Sequence, residues 1–362
     1  MIDKNQEKLF TELSETNGIS GHEKAIAKIV MRELEGVADK IEHDNLGSVI
    51  ATLNGEEGQP KIMLAAHMDE VGFIVKSICP NGMIRIHPVG GWYNHVILAE
   101  NFIVTTRDGK EYFAVTGAEP PHGMSAEQRS RLLPISEMYL DLGVKDAEMV
   151  KNLGIKVGDT VTPYEKYRVM ADGETLLGKA WDDRIGVAIG LEVMKRLKKE
   201  GCKANLVFAA TVQEEVGCRG AQTSANYVKP DVAFAVDVST SNDLPHSPVD
   251  GMFLGCGPAI SVMDGGTIAH TGLFEFVENL ANENKIPLAY DMETAGGTDA
   301  SRIHMTNDGV ITLTVSLACR YYHSHVSMIN YNDYVNAVEL LVKTIKSLDK
   351  EALIALKESK YM

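Results

Sequence analysis

The chain has 362 residues, 44% of them apolar and 23% charged, the balance of an ordinary globular protein. That length exceeds the roughly 250–300 residues at which a single core stops growing, so two domains are expected. A formal net charge of −15 argues against nucleic acid as a partner, and no apolar run approaches the ~20 residues of a membrane helix. The N-terminus MIDKNQEKLF is polar and has no signal-peptide core. Cys79, Cys202, Cys218, Cys256 and Cys319 are odd in number and never form a CxxC pair, which predicts free thiols in a reducing cytoplasm.

In chain order, residues 5–34 read as two helices joined at Asn17-Gly18-Ile19-Ser20-Gly21, with Ser20 and Glu23 in capping-box spacing. Residues 41–53 suggest two strands around the turn Asp44-Asn45-Leu46-Gly47. KIMLAA (61–66) is a buried-strand run that ends in His67-Met68-Asp69-Glu70. The texture then changes. Short alternating segments, punctuated by the hairpin signals Asn81-Gly82 and Asp108-Gly109, fill residues 71–170, with one short helical stretch near 147–153. A small β-rich domain, 71–170, is therefore expected inside an α/β domain formed by 1–70 and 171–362.

Helical spacing returns at 185–199, behind Asp182-Asp183 and ahead of a Lys-rich end and Gly201. NLVFAATVQEEVG (205–217) is a doubly buried strand closing in Glu214 and Glu215, and VAFAV (232–236) is a strand ending at Asp237. Residues 271–284 form an amphipathic helix, 309–317 a strand leading to Tyr321-Tyr322-His323, and 332–356 one long closing helix capped at Asn332. His122, in the β-rich part, reads as a surface histidine, and Trp181 and Met292 are assigned to core packing.

Polar residues thus close several buried strands or lie just beyond them: His67, Asp69, Asp182, Glu214, Glu215, Asp237 and His323. A lone histidine at a strand end is usually a surface residue, and Asp182-Asp183 ahead of a helix is usually a cap. Together they bring two imidazoles and several carboxylates to the carboxyl edge of one sheet, where open α/β folds bind ligands. This mixture suits two divalent ions sharing a bridging carboxylate. Neighbouring side chains on an extended chain point in different directions, so Glu214 and Glu215 have different tasks, one on a metal and one on a reacting water.

The motifs HMDEVGF (67–73), GKAWDDR (178–184), QEEVGCRGA (213–221), AVDVS (235–239), GGTDA (296–300) and RYYHS (320–324) stand in order. In this the chain resembles the M42 metallo-aminopeptidases, the glutamyl, deblocking and tetrahedral (TET) enzymes. The resemblance implies a zinc-peptidase-like α/β/α catalytic domain, a mixed sheet flanked by helices, with an inserted small β-barrel or PDZ-like domain. It implies two divalent ions, zinc, cobalt or manganese, and short peptides as substrates. His67 and Asp237 would serve one ion, Glu215 and His323 the other, with Asp182 bridging, Asp69 orienting His67, and Glu214 as general base. Asp183 matches the family residue after the bridge, often joined to it by a cis peptide. The insert would serve assembly into dimers and then dodecamers. His325-Val326-Ser327 departs from the family, which commonly has proline and an acid there, and His323 is kept as the ligand.

Three rivals remain at this level: a related carboxypeptidase or N-acyl amino acid amidohydrolase, a glycosidase of the kind some relatives are labelled (cellulase), and a non-catalytic scaffold. Histidines mixed among the acids disfavour the glycosidase, which needs two carboxyl groups facing each other across a sugar.

Overall fold

In the computed structural model, which describes residues 2–245, 247 and 251–361, an eight-stranded mixed sheet organises the chain. Its strands run in the order Lys40–His43, Val49–Leu53, Asn205–Thr211, Lys61–His67, Val232–Thr240, Ile311–Cys319, Ala259–Met263 and Ala289–Met292. The four central strands are parallel to one another, with Thr211 beside His67 and Asp237 beside Ser316. This register brings their carboxyl ends to one edge. Parallel strands buried on both faces need apolar runs, as LVFAA and VAFAV supply.

The helices Lys4–Glu15, Lys24–Leu34, Trp181–Glu200 and Tyr331–Ser347 share one core with one face of the sheet, around Phe10, Trp181, Phe208 and Leu341. Arg219–Val228 and Ala300–Ile303 cover the other face through Ala221, Ala225 and Ile303. The expected α/β/α layering is present.

Between Gly72 and Pro163 the chain closes a six-stranded barrel of Gly72–Ile78, Ile84–Val89, Tyr139–Asp141, Glu111–Thr116, Asn101–Thr105 and Thr160–Pro163. Its core, centred on Phe73, Phe102, Ile86 and Leu140, is separate from that of the α/β body. Gly82 and Gly109 take φ of 81° and 82° in the two hairpins, a conformation that other residues adopt only at a cost. A three-stranded sheet, Arg168–Val169, Thr175–Gly178 and Ser327–Asn330, fastens the chain returning from the barrel to the segment after His323. No helix among the described residues is long and apolar enough to cross a membrane.

Four readings change. Ser20 does not cap the second helix; its hydroxyl donates to Asp69 Oδ2 at 2.6 Å, a long-range partner outcompeting the local one. The 232–236 strand continues to Thr240, so Asp237 lies within it. The closing helix is two, Tyr331–Ser347 and Lys350–Glu358, because Asp349 caps the second; the first cap is Asn330, not Asn332. Trp181 is fully buried against Phe10, whereas Met292 is 65% exposed and packs in no core.

Candidate metal centre

His67 ends its strand in a deeply buried position, and its ring is held from both sides. Nδ1–H donates to the carbonyl of Asp69 at 3.0 Å, which leaves the lone pair on Nε2. That Nε2 lies 3.0 Å from Asp182 Oδ1 and 3.9 Å from both Asp237 Oδ1 and Glu214 Oε2. His323 repeats the arrangement from the opposite side. Its Nδ1–H donates to the carbonyl of Gly91 at 2.9 Å, while Nε2 stands 3.2 Å from Asp182 Oδ2 and 3.5 Å from Glu215 Oε2.

The two oxygens of Asp182 are therefore divided between two imidazoles. Asp182 sits at the start of Trp181–Glu200, joined to Asp183 by a cis peptide. Asp183 turns away to accept the His67 backbone N–H at 3.0 Å and that of Gly186 at 2.9 Å. Asp69 accepts the N–H groups of Glu214 and Glu215 at 3.0 and 3.2 Å, so it orients the glutamate pair as well as His67. Gln213, Cys218, Tyr321 and His323, beside these residues, all take left-handed φ between 53° and 63°. Such backbone is uncommon outside glycine and gathers at functional sites.

Charge here is unbalanced. Burial, reinforced by neighbouring acids, pushes Asp183, Glu215 and Asp237 well above the usual carboxylate range. Burial lifts Glu214 to about 8, with His67 pulling the other way. Asp182 moves down: burial opposes this, but His323 and His67 outweigh it. His67 is held well above its ordinary value against burial, by Asp182 and Asp69.

The donor set fits divalent metal. Both Nε2 atoms face carboxylate oxygens, a pairing that requires a proton or a metal ion between them. His67, Asp182 and Glu215 bring ligand atoms within 4.8 Å of one another, as do His67, Asp183 and Asp237. Glu215 Oε1 is buried without a partner. Nitrogen and oxygen donors in this mixture suit borderline divalent ions.

All seven residues singled out in the sequence converge here. His325 does not; its ring lies against Trp92 and Phe102 at 5.8 and 4.6 Å, and burial lowers its pKa to about 4. His122 is exposed in a short turn of the barrel region. Sequence reasoning assigned no role at the site to Cys218 or Asp299, and it read Glu23 only as the capping-box partner of Ser20. Cys218 donates its thiol hydrogen to Glu214 Oε1 at 3.0 Å, and Asp299 accepts from Thr211 at 2.5 Å. Glu23 accepts the N–H of Gln213 at 3.0 Å and is raised to about 7 by burial and by Asp69. Cys218 and Asp299 lie in quoted motifs, which is the signal that could have found them.

The model of the M42 glutamyl aminopeptidase family matches residues 47–340. The chain belongs to that family. It is 36% identical over 352 residues to a glutamyl aminopeptidase of Lactococcus lactis, covering 97% of this chain and 98% of that one. The TET aminopeptidase of a marine-sediment Thaumarchaeota archaeon superposes with a TM-score of 0.95 at 36% identity, over 98% of this chain and all of the other. Pyrococcus horikoshii TET1 peptidase, which can assemble into a tetrahedron or a large octahedral shell, superposes with a TM-score of 0.84 at 31% identity, over 94% of this chain and 99% of the other. In this M42 chain, then, the cluster at the sheet edge is the candidate hydrolytic centre of an aminopeptidase.

Proposed function

We propose that this aminopeptidase removes N-terminal residues from peptides with two divalent ions, zinc, cobalt or manganese, bridged by Asp182. The observation that carries the reading is the division of the Asp182 oxygens between His67 and His323. His67 and Asp237 would hold one ion, and Glu215 and His323 the other. The ions, when bound, supply Lewis acidity toward the scissile carbonyl and make water acidic enough to ionise near neutral pH.

The chain's own groups do the rest. Glu214 faces the cluster, and Cys218 fixes its Oε1. Its carboxylate takes the proton of the attacking water and returns it to the leaving amine. Asp69 keeps His67 in the tautomer that presents Nε2, the usual outer support of an imidazole ligand. Elemental analysis of desalted protein should approach two ions per chain; full activity with a single ion overturns the two-ion reading.

We also assign residues 71–170 to self-association, through dimers to a dodecamer. Tyr93, Phe113, Leu132 and Val157 are apolar side chains exposed on this part of the chain, between 46% and 61%. Light scattering of the full chain should give a particle many times the mass of one chain, and a monomer rejects the assignment. The five cysteines are free, which suits a cytoplasmic setting.

A further inference from the structure

The centre opens into a cavity of about 860 Å³ whose floor is the sheet itself. Along Ile311–Cys319 the side chains alternate: Leu313, Val315 and Leu317 enter the main core, while Thr314 and Ser316 face the cavity. The neighbouring strands extend this polar floor, with Asp237 and Ser239 on one side and Ser261 beside Asp291 on the other. A doubly covered sheet would ordinarily be apolar here, so the hydroxyls and acids signal something polar above them.

The cavity has a second acidic end, distinct from the metal ligands. Asp264, Asp291 and Glu293 line it, and Arg302 is the one arginine or lysine among the described lining residues. Three groups at this floor are buried and unpartnered: Ser261 Oγ, Ser316 Oγ and Asp264 Oδ2, in residues exposed by 5%, 1% and 9%. Asp264 Oδ1 is occupied, accepting the N–H groups of Gly266 and Thr267 at 2.7 and 2.6 Å, which fixes the carboxylate. Asp291 Oδ2 accepts from Ser239 Oγ at 2.9 Å. Burial raises Asp291 to about 6, and Glu293 and Asp264 add to the rise, so the acids repel one another in the absence of a cation.

Position separates this lobe from the metal cluster. Ser239 follows Asp237 by two residues on one strand face, a step of ~6.6 Å, and Asp291 lies beyond Ser239. The α-amino group of a substrate stays next to the scissile carbonyl and cannot reach so far. A long side chain on the same residue can.

We propose that Asp264, Asp291 and Glu293 form the pocket for the N-terminal side chain and select lysyl and arginyl residues, an inference that rests on the aminopeptidase reading of the centre. An extended cationic chain lies over the hydroxyl floor and places its charge among the three acids. An N-terminal glutamate is repelled, since it would bring a like charge up to the three acids.

The test is hydrolysis of lysyl-, arginyl-, leucyl-, alanyl- and glutamyl-anilides by the metal-loaded full chain. The expected kcat/KM for lysyl and arginyl substrates exceeds that for leucyl by at least about ten-fold, with glutamyl lowest. Glutamyl, leucyl or alanyl ahead of lysyl overturns the pocket and leaves the aminopeptidase reading standing; no hydrolysis of any substrate overturns that reading itself. In the double variant Asp291→Asn/Glu293→Gln the lysyl-to-leucyl ratio should fall about ten-fold, chiefly through a higher KM for lysyl. Loss of folding or metal lowers both rates and keeps their ratio, so an unchanged ratio assigns the acids another role and sinks the proposal. Asp264 is left intact in this variant because it also holds its turn.

Discussion

Some polar side chains buried in the barrel region are satisfied by near neighbours, although Thr105 Oγ1 and Thr162 Oγ1 have no partner. Thr106 donates to Asp108 at 2.5 Å, and Thr116 donates to the carbonyl of Ile97. The sheet edge of the α/β body follows another rule: His67, Asp69, Asp183, Asp237 and Asp299 are all nearly inaccessible, and several carboxylates are pushed toward their neutral forms. A folded chain tolerates such a cluster only when pairing or a bound ion compensates the desolvated charge. The barrel is built to be stable, the sheet edge to bind. They meet at the carbonyl of Gly91, which lies just beyond the barrel strand Ile84–Val89 and fixes the ring of His323.

The largest effect should come from within the sheet edge. Glu214→Gln keeps the shape and leaves the proposed ligands in place, so it should bind two ions and lose turnover by roughly 10²–10⁴-fold. Glu215→Gln replaces an anionic ligand with a neutral one; it should bind one ion weakly and regain activity in part with excess metal. Metal titration with kinetics on both variants decides, and the opposite pattern reverses the two roles.

A second test addresses the seam. Glu70, two residues before the first barrel strand, is buried and accepts from Lys179 Nζ at 2.7 Å through both oxygens, with Arg184 at 3.5 Å and the Gly18 N–H at 3.0 Å. Removing one member of a buried pair strands its partner, so Glu70→Ala should cost about 3–5 kcal/mol in denaturant unfolding. A loss below about 1 kcal/mol, the range of exposed pairs, would show that the seam does not rely on this network.

Much of this was legible from local pattern. Apolar runs marked the parallel strands, and paired turn residues marked the barrel, because those signals reside in a few consecutive residues. Ser20 misled because its partner, Asp69, is distant in sequence. The contact of Cys218 with Glu214 is local, four residues apart, whereas that of Thr211 with Asp299 and the lobe of Asp264, Asp291 and Glu293 arise only when separate elements come together. The break at Leu348 could have been read, since Asp349 ahead of Lys350-Glu351 is a cap signal that helical periodicity masked.

The seam can also be tested sterically. A methyl group at Gly91 would meet His323 Nδ1 at 3.0 Å, and Gly91 has no positive φ to complicate the change. Gly91→Ala should displace the ring and weaken the ion assigned to His323 by about 10–100-fold, the usual effect of losing an outer support. Isothermal titration with metal reads this, and unaltered affinity would mean that the barrel side does not position the ligand.

The smallest effect is expected at His325, two residues from His323 and of the same type. Burial alone favours the neutral ring, which lies against Trp92 and Phe102 as an aromatic would. Its Nε2 is buried without a partner, and a hydrogen bond with the Val96 backbone only partly offsets the effect of burial. His325→Phe should therefore keep the metal content of the parent and cost no more than about 1–3 kcal/mol of stability, the range for fitting a somewhat larger side chain. His323→Phe, by contrast, removes a nitrogen that faces Asp182 and Glu215, and should lose one ion. Metal analysis of the two variants together separates ligand from packing residue. Loss of an ion in His325→Phe with retention in His323→Phe would exchange their roles and require a different path for the loop after Cys319.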